Sequence, residues 1–200
     1  MNKYKFIFRR NLTLMLMLTL VIGISFWFLN FVQKNKKLNS FPLGGSFILT
    51  DQDGSIYNSS AIKKKKLIYF GYTFCPDVCP FDILKISKLF DNNPDLIDKI
   101  QPIFITVDPQ RDTPKNIKSF LENFNPNLVG LTGSKKEIKS VTNKFKIYVK
   151  LNKKSEEDSN YLVDHSSLIF LIDKDDNYLM FFRSNEFDEE VFKNSLKKIL

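Results

Sequence analysis

Long apolar runs alternate with short polar breaks along the chain, and the breaks carry turn-forming residues. From Leu12 to Val32, twenty-one successive residues bear no charge. As a helix rising ~1.5 Å per residue, such a run spans roughly 30 Å, the thickness of a bilayer core. We expect a transmembrane signal anchor at 12–32. A cleaved signal would have an apolar stretch of about 7–15 residues and a small-residue cleavage site, which Leu29 to Val32 does not offer. Residues 33–45 are polar, then rich in Pro and Gly, and read as a linker to a folded domain at 46–200. Apolar stretches on both sides of Asp53-Gly54 predict a hairpin. The run 67–72 predicts a buried central strand, followed by a helix from Cys79 or Pro80. In that helix Asp82 falls in the first turn and Phe81, Ile83, Leu84, Ile86, Leu89 and Phe90 form the apolar stripe, which stops at Asp91–Pro94. Residues 102–108 predict a second buried strand, and Pro114–Phe124 a helix capped by Thr113. A short strand at 127–133 follows, then a helix from the capping box Ser134/Glu137 to about Asn143. A strand near 147–151, a charged loop at 152–160, a hairpin pairing 167–173 with 178–183, and a helix from about Phe187 to Ile199 complete the pattern.

Strands alternating with helices, closed by an antiparallel hairpin, predict an α/β domain with a central mixed sheet flanked by helices. The order strand, cysteine-bearing loop, helix, strand matches a thioredoxin-like fold. About 160 residues suffice for a core without covalent staples.

Charge changes the picture less than its total suggests. The formal net charge is +8, but residues 1–40 hold seven basic side chains and no acid, leaving the rest at +1. Basic residues on both flanks of an apolar span suit lipid headgroups, so we expect membrane contact and no nucleic acid. Lys63–Lys66 reads as a solvated loop before a strand. Four basic residues precede the span and three follow it closely, which favours a cytoplasmic segment 1–11 and an exported domain. That leader is too short for an organelle presequence. The expected location is therefore a bacterial inner membrane, single-pass, with the domain in the periplasm, where thiols can oxidise.

Only two cysteines occur, Cys75 and Cys79, in "GYTFCPDVCP" at 71–80. A structural disulfide there would close a very short loop and gain little. Redox exchange is a second reading, because a thiol at a helix N-terminus is acidified by unpaired N–H groups. Three residues intervene, however, rather than the two of C-x-x-C. Metal binding is the third: two thiolates form a soft pair suited to copper(I) or zinc and need a third ligand. The chain's single histidine, His165, lies in "YLVDHSSLIF" before the strand at 167–173. In a thioredoxin-like sheet that position faces the cysteine loop.

Together "GYTFCPDVCP", "VDPQRDTP" at 107–114 and "VDHSS" at 163–167 resemble the three signatures of the SCO/SenC family of copper chaperones, in order, over roughly residues 41–190. The resemblance implies a membrane-anchored, thioredoxin-like metallochaperone with copper as its metal, held by Cys75, Cys79 and His165. It implies a role in assembling the binuclear copper site of cytochrome c oxidase, with the copper-bearing oxidase subunit and a copper donor protein as partners, and possible reduction of the target's cysteines. On this reading Asp164 is a tuning or a structural carboxylate, and Arg111 pairs with an acid near the site or serves the scaffold. The alternative is a thiol-disulfide oxidoreductase, peroxidase or redox sensor with no metal delivery.

Overall fold

The computed structural model describes residues 15–28, 43–155 and 158–198, and the chain divides into two compact units, Met1–Phe41 and Pro42–Leu200. Of the first unit, residues 15–28 form a helix, α1, whose side chains are exposed. The ends of the anticipated span (12–14 and 29–32), the segment 1–11 and most of the linker lie outside the described residues. Among the described residues no helix is long and apolar enough to cross a membrane.

Among the described residues, the second unit is built on nine strands. They are β1 (Ile48–Asp51), β2 (Ile56–Asn58), β3 (Lys65–Gly71), β4 (Ile100–Thr106), β5 (Val129–Thr132), β6 (Val149–Asn152), β7 (Leu162–His165), β8 (Leu168–Ile172) and β9 (Tyr178–Arg183). Its helices are α2 (Val78–Asn92), α3 (Pro114–Leu121), α4 (Lys135–Lys144) and α5 (Glu189–Leu196). Seven strands form one mixed sheet in the order β2-β1-β5-β4-β3-β8-β9. The centre, β5-β4-β3, is parallel, with β1 and β8 antiparallel at its two sides. The expected central mixed sheet is thus present. β6 and β7 pair with each other outside it.

Successive strand residues face opposite sides of a sheet, so the register assigns the faces. Tyr69 pairs with Phe104 and Ile169, and Phe104 with Gly130, which places all four on one side. There α3 lies close: a Cβ on Gly130 would sit 2.2 Å from Ile117 Cγ2 and 2.6 Å from Leu121 Cδ1. α5 covers the same side through Phe192, whose ring meets that of Phe182, the partner of Ile169. On the other side Phe70, Phe170 and Phe145, the residue ending α4, form a ring cluster with centroids 5.3–6.1 Å apart.

Several elements depart from the pattern-based expectation. α2 starts at Val78, which carries Asp82 beyond the first turn and points it inward, where it accepts a hydrogen bond from Ser184 Oγ. Phe81 and Leu84 of the expected stripe are exposed, and the buried side is Cys79, Asp82, Ile83, Ile86, Ser87, Leu89 and Phe90. α3 and α5 are shorter at their ends than predicted. Only Lys63 and Lys64 of the lysine run lie in a loop before the strand. Lys65 and Lys66 open β3, and Lys66 is fully buried with its Nζ 2.7 Å from Asp176 Oδ1. Asp176 also accepts from Ser59 Oγ and Ser60 Oγ, so the buried charge is met by an opposite charge and its remaining lone pairs are satisfied. The capping box at Ser134/Glu137 and the Thr113 cap form as predicted.

Candidate metal centre

β3 ends at Gly71, and the chain turns through Tyr72–Asp77 into α2. Cys79 is the second residue of that helix and is fully buried against the end of β3. Gly71 permits this approach. A Cβ there would lie 2.8 Å from Tyr69 Cε1, 3.0 Å from Phe104 Cε2 and 3.2 Å from Cys79 Sγ. Cys75 sits on the turn itself, half-buried, its N–H donating to the Tyr72 carbonyl at 3.3 Å. His165 is the last residue of β7, a strand missed in the sequence because the charged loop before it hides a run of only four residues. Opposite it in the register is Val149.

Folding brings His165 Nε2 to 3.3 Å from Cys79 Sγ, across eighty-six residues of chain. Nδ1 lies 3.2 Å from the Ser166 carbonyl, which can only accept. In the tautomer that donates from Nδ1 to this carbonyl, an Nε2 lone pair is directed at the sulfur. Tyr69 and Tyr72 present their rings edge-on to the imidazole, with centroids 6.4 and 5.9 Å away. Both thiols are free, with no disulfide between them. As placed, no group of three or more His, Cys, Asp or Glu side chains among the described residues is gathered to hold a metal ion. Cys79 and His165 are brought together directly, and Cys75 lies on the turn that leads into the helix carrying Cys79.

The two thiols differ in electrostatics. A hydrogen bond from Cys79 is the largest effect holding the Cys75 thiol down, to about 5, and N–H groups of Asp77 and Cys79 at the start of α2 add to it against the cost of burial. Cys79 is pushed up, first by its hydrogen bond with Cys75 and then by burial. The acidified thiol is thus the one just outside the helix, aimed at its N–H groups.

The motif at 107–114 builds the wall of the site. Asp112 is buried and accepts from Thr73 N at 3.0 Å, Thr73 Oγ1 at 2.5 Å and Thr106 Oγ1 at 2.6 Å, tying the cysteine turn to the end of β4. Burial raises its pKa. Arg111 does pair with an acid: its Nε lies 2.5 Å from Asp108 Oδ2. Asp108 Oδ1 accepts from Tyr161 Oη at 2.7 Å. Asp164 is exposed, adjacent to His165 on β7 and therefore directed to the opposite face; it stands across from Lys150. Sequence reasoning passed over Tyr69, Tyr72 and Tyr161, although Tyr69 and Tyr72 lie within the predicted strand 67–72 and could have been read as its site-facing end.

The family model for SCO1/SenC matches residues 35–200. The SCO2-like protein of Rickettsia felis is 42% identical over 163 residues, covering 80% of this chain and 79% of its own length. The solved structure of Bradyrhizobium japonicum ScoI with copper bound is 39% identical, with a TM-score of 0.70 over 78% of this chain and 98% of that one. BsSco, a member of the Sco family of cytochrome c oxidase assembly proteins in which a disulfide switch has been identified, is 27% identical with a TM-score of 0.60 over 78% and 94%.

Proposed function

We propose, from the premise that this chain belongs to the SCO1/SenC family, that it binds copper as cargo through Cys75, Cys79 and His165 and serves cytochrome c oxidase assembly. The observation that carries this reading is the 3.3 Å approach of His165 Nε2 to Cys79 Sγ. Two sulfurs and one imidazole nitrogen form a donor set that suits copper(I). Cys75, on the turn just before α2, is the third donor. Cys75 is half-buried where Cys79 is sealed, so a partner's thiol displaces ligands from the Cys75 side first. The partners are the copper-bearing subunit of the oxidase and a protein that donates copper. The apolar span 12–32 anchors the chain in the bacterial inner membrane, with the domain in the periplasm. The all-round exposure of apolar side chains on α1, Met15 to Phe28, supports that role.

Oxidation opposes loading. When the two thiols surrender two electrons and two protons to a disulfide-bearing partner, the Cys75–Cys79 disulfide forms and both thiolates are lost as ligands. The test is a copper(I) titration of the reduced full-length protein. One equivalent should bind, and His165→Ala or loss of either cysteine should weaken it. Binding indifferent to all three changes refutes the site.

The acidified Cys75 thiol favours a second reading, a thiol-disulfide oxidoreductase acting on the oxidase subunit. That activity would turn over a disulfide substrate catalytically and would be unaffected by His165→Ala.

A further inference from the structure

Two parts of the chain supply the site: the turn 72–77 with the start of α2 at the end of the large sheet, and the β6–β7 hairpin, which belongs to no strand ladder of that sheet. Something must hold the second against the first, or the imidazole would have no fixed distance from the sulfurs. Arg111 touches both. On the hairpin side its guanidinium carbon lies 3.6 Å from the Tyr161 ring centroid, and Nη1 is 3.3 Å from the Ser159 carbonyl. On the cysteine side it stands 4.9 Å from the ring of Phe74 and 5.8 Å from that of Tyr72. Asp108 closes the arrangement by accepting from both Arg111 Nε and Tyr161 Oη. Tyr72 Oη in turn accepts from the Val163 N–H at 3.3 Å, two residues before His165. The arginine side chain is 12% exposed, so its planar cation is stacked and paired away from most solvent, where such contacts are strongest.

We propose that Arg111 is a positioning residue for the copper site: it clamps the approach to β7 onto the cysteine turn and so sets the distance of His165 from Cys75 and Cys79. This rests on the copper reading above. Arg111 touches none of the three side chains it would position. Its effect is transmitted through Phe74, one residue before Cys75, and through Tyr161 and Val163, four and two residues before His165. A lysine would keep the charge and lose the planar stack and the fork, so it does not replace the arginine.

The experiment uses the reduced full-length protein with Arg111→Met, Arg111→Lys, His165→Ala and the double variant Arg111→Met/His165→Ala. Removing an outer partner of a metal ligand typically costs about 10–100-fold in affinity, so Arg111→Met should weaken copper(I) binding by at least about tenfold. Added to His165→Ala it should cost less than about threefold more, because a clamp has nothing to position once the imidazole is gone. In metal-free protein, amide hydrogen exchange of Val163 and His165 should quicken in both Arg111 variants while that of Ile68 and Phe70 in β3 stays unchanged. Additive losses in the double variant, or unchanged exchange at 163–165, would overturn the clamp and leave the copper site standing. Copper binding unaffected by His165→Ala would instead strike the functional reading itself. If Arg111→Met fails to fold, Arg111→Lys carries both measurements, with the cycle closed by Arg111→Lys/His165→Ala.

Discussion

Cys75 and Cys79 are four residues apart in sequence and opposite in environment. Cys75 faces the N–H groups that open α2 and receives a hydrogen bond from Cys79, so its thiolate is favoured with a pKa of about 5. Cys79 is sealed under Gly71 and its thiol form is favoured. Alkylation requires the thiolate, so Cys75 should react readily at pH 6.5 while Cys79 stays protected, and the Cys75 rate should fall as pH drops through about 5. Peptide mass spectrometry after a brief iodoacetamide pulse reads both sites separately. Replacing Cys79 by Ala removes the largest effect acidifying Cys75, so the Cys75 rate at pH 6.5 should fall toward that of an ordinary thiol. Equal labelling of the two cysteines, or a rate indifferent to Cys79→Ala, would show that the asymmetry is absent. On the proposed copper site, the same asymmetry would make Cys75 the first ligand a partner reaches.

At the level of elements, β3 owes its start to a buried ion pair that the hydrophobic pattern does not reveal. Lys66 is fully enclosed and paired to Asp176, which two serines also satisfy. Breaking such a pair leaves an uncompensated buried charge and costs about 3–5 kcal/mol. Lys66→Ala should therefore lower the stability measured by urea unfolding by about 3–5 kcal/mol, whereas Lys63→Ala, an exposed position in the same run, should change it by no more than about 0.5 kcal/mol. Four adjacent lysines are identical as letters; only the alternation of β3 decides which points inward, and the partner is 110 residues away. At the other end of the chain, Glu189 ties α5 to the end of α2, accepting from Asn92, Asn93 and Lys193. The Lys193 contact leads in holding its carboxyl down at about 2. A depressed carboxyl stabilises the fold above its unfolded value near 4.5 and loses that contribution as pH falls toward 2. The melting temperature of Glu189→Gln should lie below that of the parent at pH 6, and the gap should shrink progressively between pH 4.5 and 2.

Across the whole molecule, the strands other than β7, the caps and the two cysteines follow from periodicity and turn chemistry, because these are local. What does not follow locally is which residues meet. The buried strand 67–72 was legible, but not that Gly71 is its point of closest approach to Cys79. The motif at 107–114 was visible, yet its work of holding Thr73 through Asp112 and Tyr161 through Asp108 depends on a hairpin outside the sheet. The position of His165 beside Cys79 was reached from the fold implied by the element order, and the 3.3 Å separation agrees with it. Long-range assembly of the site also governs how metal should couple to folding. Unfolding separates His165 from Cys79 but leaves the two cysteines four residues apart, so the unfolded chain retains a two-sulfur site. Copper(I) then stabilises the fold only by the margin that the imidazole and the fixed geometry add. If that margin is about 1,000-fold in affinity, saturating metal adds about 4 kcal/mol, which for a domain of this size raises the melting temperature by roughly 8–16 °C. Calorimetry of the reduced protein with and without copper(I) reads this directly. His165→Ala should remove most of the shift while leaving binding by the two sulfurs detectable, and the Cys75–Cys79 disulfide form should show no shift at all. A full shift surviving in His165→Ala would mean that the imidazole contributes nothing the unfolded chain lacks.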